Sequence, residues 1–433
     1  MQNKLGSVQV REVALARPRA GGRFEGIVFT GPGREVVERI SQETAHTSTA
    51  VLDSIVHRLL VKKGADWTNV ILSEYLELYD DSAGTFSLVW NKSSRQLVAH
   101  GSAFQSKTHN GAALVAHIRT GDAHQGLGLG TLVTEEVTRA ALQQGAQVVV
   151  LGTDDKRHRI EQGEKAAYRM YGKLGYAILA EKELTDTVEW LMVVDRQLFE
   201  RCQQEKLAAG GRLPGDCPDF RVSKNGTVPF DATQDVCQMQ QDLIQTVRGR
   251  FSRELPDGQV SPVGQGDMAN LFLLMNLCPA DDFQIKLAAW GVQLGPEMER
   301  GYIVNVRPAI ADRDRLEDAS LALRDGHGSI LAICAARRAF PFTRNVMDID
   351  FYCLPQFFAA NRPAVVALVE AVLARIEQST ERPSPCRLLF SGVDQEKIRL
   401  FQDLGFTPTN NTYPYFTADG KPAFQATECE KIL

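Results

Sequence analysis

No stretch of this chain approaches the roughly 20 consecutive apolar residues that a membrane helix needs. Met1 to Gly21 carries scattered charge without the apolar core of a secretory leader. Both absences point to a cytoplasmic protein with no membrane partner. A basic surplus is missing too: 48 lysines and arginines face 53 aspartates and glutamates, a net charge of -5, so no nucleic-acid partner is expected. The eight cysteines, at 202, 217, 237, 278, 334, 353, 386 and 429, lie in the second half with no CxxC or CxxH spacing. That excludes a zinc cluster or a disulfide framework and leaves buried, reduced thiols and no metal. What is present is ordinary for a globular protein, 44% hydrophobic and 23% charged. At about 150 residues per domain, 433 residues make one small module unlikely as a description and two or three domains the natural one.

Arg201 to Phe220, RCQQEKLAAGGRLPGDCPDF, has paired glycines, two prolines and no sustained apolar periodicity. It reads as a connection, dividing the chain into an N-terminal domain (1–200), a linker (201–221) and a C-terminal domain (222–433). The two domains then read as copies of one plan. FSLVW-NKSSR-QLVAHGSAF from Phe86 is a hairpin with alternating apolar residues, and ASLAL-RDGHG-SILAICAA from Ala319 is another, at a constant offset of 233 (Ser87 to Ser320, Leu97 to Ile330). The same offset carries LVAHIR from Leu114 onto MDIDFY from Met347. A helix, a buried strand and a second helix follow in each copy: 129–144, 147–151 and 164–174 against 364–377, 387–391 and 395–404. Both copies close on a similar phrase, KLGY at Tyr176 and DLGF at Phe406.

That order predicts an α/β (mixed α+β) fold in which each domain has a mixed central sheet flanked by helices. Leu129, Leu132, Val133, Val137, Ala140 and Ala141 form one helical stripe. Glu135, Glu136 and Arg139 take the other side, and Gly145 supplies a left-handed stop. QVVVL after it is uniformly apolar, as a strand covered on both faces should be.

Between LVAHIRT and that helix stands Gln125-Gly126-Leu127-Gly128-Leu129-Gly130. Glycines let successive backbone N–H groups converge, and the helix start behind them adds unpaired donors and partial positive charge, a combination suited to phosphate. A tight turn with no ligand explains the same letters. A dinucleotide fold would need this turn after an early strand with an acidic residue about 20 residues on, and a Walker lysine is absent.

The context resembles the acyl-CoA site of the GNAT superfamily of N-acetyltransferases, whose motif Gln/Arg-x-x-Gly-x-Gly/Ala is matched by Gln125, Gly128 and Gly130. The likeness runs from Phe86 to Tyr176, where AAYRMYGKLGY matches the family's tyrosine-bearing helix and Lys-x-Gly-aromatic ending. It implies that Ile118, Arg119 and Thr120 run beside pantetheine. It also implies that Gln125, Gly126, Leu127, Gly128, Leu129, Gly130 and Thr131 surround the diphosphate, and that Tyr171 serves the departing thiolate. The alternative for Tyr171 is a packing role beside Tyr168. The run Lys156, Arg157, His158, Arg159 meets the coenzyme phosphates or the acceptor, or is a solvated loop.

The base is harder to place. Leu114 and Ala116 are the residues expected to face the acceptor, and neither titrates; His117 beside them and His100 on the preceding strand are the candidates, if a bulge turns either inward. In the second copy Gly128 and Gly130 become Asn361 and Pro363, a helix start with a capping side chain rather than a phosphate cradle. Tyr171, counted back from the closing phrase, becomes Phe401. Only the first copy is expected to bind coenzyme. The second extends the structure or covers the acceptor, with Asp348 and Asp350 available to an ammonium.

The resemblance thus implies an acyl-CoA-dependent N-acyltransferase of tandem GNAT layout, with acetyl-CoA as co-substrate and a small-molecule amine as acceptor. Attack is direct, since the first half offers no cysteine nucleophile. O-acyl transfer or thioester decarboxylation on the same fold, or CoA-responsive binding without turnover, are the rivals. A homodimer stays open.

Overall fold

The computed structural model describes residues 9–13, 23–32, 35, 82–93, 97–106, 111–156, 167–183, 187–208, 234–255, 258–278, 315–338, 345–379, 384–416 and 422–433. These form two mixed sheets with helices against them. The first is eight-stranded, in the order β1-β2-β3-β4-β5-β6-β8-β7. Its strands are β1 (Gln9–Val13), β2 (Phe24–Pro32), β3 (Ser82–Asn91), β4 (Leu97–Ser106), β5 (Ala112–Thr120), β6 (Val148–Lys156), β7 (Ala177–Glu183) and β8 (Thr187–Asp195). The second has seven strands in the order β14-β15-β13-β12-β11-β10-β9. They are β9 (Gln259–Pro262), β10 (Arg315–Arg324), β11 (Ile330–Arg338), β12 (Val346–Cys353), β13 (Arg387–Gly392), β14 (Thr407–Phe416) and β15 (Pro422–Ile432).

The sheets share one topology from β2 and β9 onward. Among the described strands only β5 with β6, and β12 with β13, pair parallel, and each ladder spans three residue pairs. α1 (Leu129–Gln143) covers β3, β4 and β5, and α7 (Arg362–Gln378) covers β10 and β11. Short α2 (Ala167–Gly172) and α8 (Gln395–Asp403) precede the closing phrases. These end alike: Gly175 and Gly405 have φ of 95° and 87°, and Tyr176 N donates to Tyr171 O at 3.2 Å as Phe406 N does to Phe401 O at 3.0 Å. The repeat extends to individual hydrogen bonds.

Local patterning explains the elements. The α1 stripe buries Leu129, Val133, Val137, Ala140 and Ala141, each Leu or Val contributing about 1.5–3 kcal/mol. Gly145 closes the helix at φ 98°. Glu135 and Glu136, expected on the solvent side, are buried instead. Arg139 reaches both at 2.7 Å, Arg11 from β1 also binds Glu136, and the Arg139 guanidinium lies over the Phe199 ring. Charge pairing and a tertiary cover override the helical periodicity there. β6 runs five residues beyond the expected 151, and Arg201–Ala208 of the expected connection is the last part of α3 (Arg196–Ala208). Residues 209–233 lie outside the described set.

Two helices of the second half lie on the first sheet. α4 (Gln234–Arg250) packs against β7 and β8, where Arg248 donates to Leu179 O at 2.6 Å. α5 (Met268–Leu277, MANLFLLMNL) is apolar on nearly every side, the signature of a helix enclosed by neighbours. It packs on β4, β5, β7 and β8 of one sheet and on β11 and β12 of the other. Its start is fixed by Arg324, whose guanidinium forks onto Asp267 at 2.7 and 2.9 Å and also reaches Ser261 Oγ at 2.7 Å. Both charged partners are buried. One continuous hydrophobic core runs through both halves, from Val149 through Leu274 to Ile333.

Among the described residues no helix is long and apolar enough to cross a membrane, no cluster of His, Cys, Asp or Glu is suited to a metal, and the seven described cysteines are free thiols.

Candidate functional site

β5 and β6 are paired only through Ala112, Ala113 and Leu114 with Val148, Val149 and Val150. Residues 115–120 and 151–156 continue as strand beyond that ladder, held on their outer edges by β4 and β8. The first sheet therefore opens between its two central strands. Across from the opening β5 carries a bulge: His100 pairs with Arg119 and Ser102 with Ala116, so His117 and Ile118 together oppose Gly101. The bulge required for a histidine to change face is present at His117. The His117 side chain lies outside the described set, as do the Lys156 side chain and residues Arg157, His158 and Arg159.

The faces can be assigned from contacts. A methyl placed on Gly101 would lie 2.5 Å from Ile118 Cδ1 and 3.4 Å from Val133 of α1, and one on Gly130 would lie 3.2 Å from Thr120 Oγ1. Ile118 and Thr120 therefore face α1, and the exposed Arg119 alternates outward. Leu114 and Ala116, in register with Phe104 and Ser102, lie on the opposite face together with His100. His100 is buried, 3% exposed.

At the open end of β5 the chain passes through the short 3-10 turn Asp122–His124 into the glycine turn. Gly126 and Gly128 have φ of 77° and 78°, in the left-handed region that disfavours side chains. Gly128 is the N-cap of α1, with no side-chain cap and no acidic residue in the first turn. The first backbone N–H groups of α1 thus have no intrahelical acceptor, and no carboxylate of that turn competes for them. A methyl at Gly126 would meet nothing within 4 Å. Open at Gly126 and rich in donors, the turn fits a diphosphate. Gln125 is exposed, Leu127 and Thr131 are half-buried, and Leu129 is buried in a small cluster with Phe24, Val89 and Val133.

The tyrosine helix lies against this turn. A methyl on Gly130 would lie 3.4 Å from Met170 Sδ, and Met170 precedes Tyr171. Tyr171 is 7% exposed, with its ring 6.1 Å from that of Tyr176. Burial holds the Tyr176 hydroxyl above its ordinary range, partly offset by its hydrogen bond with Thr138 at 2.7 Å and reinforced by Tyr171. Tyr176 is a protonated structural group. Tyr168 packs on Trp190 with the rings tilted by 44° and their centroids 4.3 Å apart.

The second copy closes each of these features. Asn361 does not cap α7. Its Oδ1 accepts from Leu255 N at 2.6 Å and its Nδ2 donates to Arg253 O at 2.8 Å, so the segment before β9 is tied to the start of α7. Where the first copy has an open turn, the second has α6 (Pro355–Ala360). Phe401 stacks on Phe390 at 3.8 Å and meets Phe351 and Phe406 edge-on at 5.8 and 5.2 Å. Asp350 is 1% exposed in a central strand and Asp348 is half-buried.

A sheet opened after a short parallel ladder, with a glycine turn at the opening and a tyrosine helix beside it, agrees with the GNAT resemblance of the sequence. Residues 99–185 match the family described as FR47-like protein, a GNAT-related group, and the resemblance read from the sequence is borne out over that stretch. No curated protein matches the chain. Among solved structures, it is similar to a Desulfovibrio desulfuricans protein described as an acetyltransferase of the GNAT family (14% identity, 44% of this chain and 99% of that one, TM-score 0.26). An aminoglycoside 6'-N-acetyltransferase complexed with coenzyme A is similar at 14% identity (43% and 96%, TM-score 0.27). The spermidine/spermine N-acetyltransferase of Vibrio cholerae is similar at 10% identity (46% and 99%, TM-score 0.27).

Sequence reasoning missed Met170 as a support of Gly130 and missed the contribution of α5. The signal for the second was the largely apolar composition of MANLFLLMNL, broken only by two asparagines.

Proposed function

We propose that this protein transfers an acyl group, acetyl in the first instance, from coenzyme A to a small-molecule amine by direct attack. The N-terminal domain (1–200) carries the reaction and the C-terminal domain (222–433) takes no coenzyme. One observation carries the reading: an uncapped helix start, reached through Gly126 and Gly128, stands at the opening of the β5/β6 pair with the Tyr171 helix packed against it.

In this reading the backbone N–H groups of residues 126–131 hold the diphosphate, and Ile118, Arg119 and Thr120 guide pantetheine. The thioester supplies the activated acyl group. Tyr171 donates its hydroxyl proton, or a hydrogen bond, to the departing thiolate, replacing solvation that a site closed to water lacks. An incoming ammonium with a pKa of about 10.4 must lose a proton first. His100, on the face away from α1, or His117 at the bulge takes it directly or through water.

Full-length protein mixed with acetyl-CoA and an amine panel tests this, with free thiol and acetylated product measured together. Product on the amine nitrogen with matched thiol release is the expected result. Thiol release without an acylated amine, or coenzyme binding without turnover, rejects it.

A further inference from the structure

Val148 to Leu151 of β6 are at most 2% exposed, as suits a strand with neighbours on both edges and both faces. Gly152, the next residue of the same central strand, is exposed. Gly152 has no side chain, so what is exposed is its backbone, at the edge that β5 leaves unpaired after the ladder ends. Gly152 sits beyond the three-pair ladder with β5 and shares its face with Val150 and Leu114, the face away from α1. A methyl on Gly152 would lie 2.8 Å from Phe272 Cζ. The ring of Phe272 thus reaches from α5, a helix of the second half, to the rim of the opening.

The orientation of α5 agrees. Ala269, Asn270, Leu271, Leu273, Leu274 and Met275 are buried, whereas Phe272 and Asn276, one turn apart, are half-buried. Asn276 Nδ2 donates to Phe272 O at 2.8 Å, fixing that turn. The Arg324–Asp267 fork anchors the helix start. The helix is therefore held at both ends of the relevant turn, with one side chain left at the opening.

We propose that Phe272 is the wall of the acceptor pocket and selects a primary amine carried on a flat, apolar stem, such as an arylalkylamine, over a polyamine. This rests on the acyltransferase reading above. Among the described side chains of this face beside the opening, Leu114, Ala116 and Phe272 offer apolar surface and no carboxylate. Such a lining stacks an aryl ring, whereas a second ammonium would lose hydration against it. The second half thereby sets specificity for chemistry carried by the first.

The test uses full-length protein. Binding of 4-fluorophenethylamine in the presence of CoA is followed by fluorine NMR line broadening, which needs no turnover. Acetyl transfer to phenethylamine and to spermidine is followed by thiol release. The expected results are a kcat/KM for phenethylamine at least about tenfold above that for spermidine, and a KM raised about tenfold in Phe272→Ala with kcat and CoA affinity little changed. Gly152→Ala approaches the same ring from the strand and weakens phenethylamine similarly, which serves if Phe272→Ala does not fold. Transfer that is indifferent to both substitutions, a preference for spermidine, or no binding of the fluorinated amine overturns the Phe272 wall and leaves the transferase reading to its own test. Phe272-dependent binding without acetyl transfer supports the wall and overturns the transferase reading instead.

Discussion

The two halves of this protein share one strand order from β2 and β9 onward, one parallel ladder each among the described strands, and the same left-handed glycine after the helix that precedes the last two strands. They differ where ligand chemistry would be. In the first, left-handed glycines leave a helix start bare; in the second, Asn361 clamps another segment against it. In the first, a tyrosine faces the ring of Tyr176; in the second, Phe401 is stacked among three other phenylalanines. The residues that set the shared core are not those that differ between the two turns and rings, so core and turn can change independently.

The largest effect is expected from a position that binds the halves together. Arg324→Met leaves Asp267 buried without its cation and should cost about 3–5 kcal/mol, read as a fall in the urea midpoint of the whole chain. Loss of the C-terminal transition alone would show that the halves unfold separately. Next, Gly128→Val forces a β-branched residue to φ 78° and removes the open turn. Coenzyme affinity should drop about 100-fold by calorimetry, the worth of a charge-assisted hydrogen bond. Asn361→Gly in the second copy should create no coenzyme site, because Phe401 and its neighbours still fill the interior; a second binding event would break the asymmetry. Tyr171→Phe should lower turnover by about 100-fold with coenzyme affinity retained, whereas unchanged turnover removes Tyr171 from the chemistry.

The smallest effect concerns Cys202, which burial, with help from Glu205, pushes up from 9.0 to about 12. The unfolded thiol ionises above pH 9.0 while the folded one does not, so its contribution is fully present below that pH and is lost as pH rises toward 12. The slope is about 1.4 kcal/mol per pH unit at most. Comparing the urea midpoints of the wild type and Cys202→Ala from pH 8 to about 10.5 checks it: Cys202→Ala should show the shallower decline.

The repeat was legible because apolar spacing survives wherever a sheet must be covered, so Val133, Val137 and Ala141 predicted a helix face that proved buried. The glycine turn was legible because backbone conformation restricts residue choice at Gly126 and Gly128. Burial of Glu135 and Glu136 was not, since it depends on Arg11, more than a hundred residues away and on another strand. Asn361 followed by proline spelled a cap locally, yet its amide serves Arg253 and Leu255. Phe272 carries no local sign of a role at Gly152, because their proximity arises only when α5 is seated between two sheets. Local rules recover elements and turns; relations across the chain need the packed molecule.

The shared helix α5 has a consequence for ancestry and engineering. A duplicated unit ordinarily leaves two modules that can be separated, shuffled or lost one at a time. Here each sheet leans on the same ten-residue helix, so either copy expressed without it would present a bare greasy groove to solvent. Separating the halves of this chain would mean dividing a helix that both sheets use.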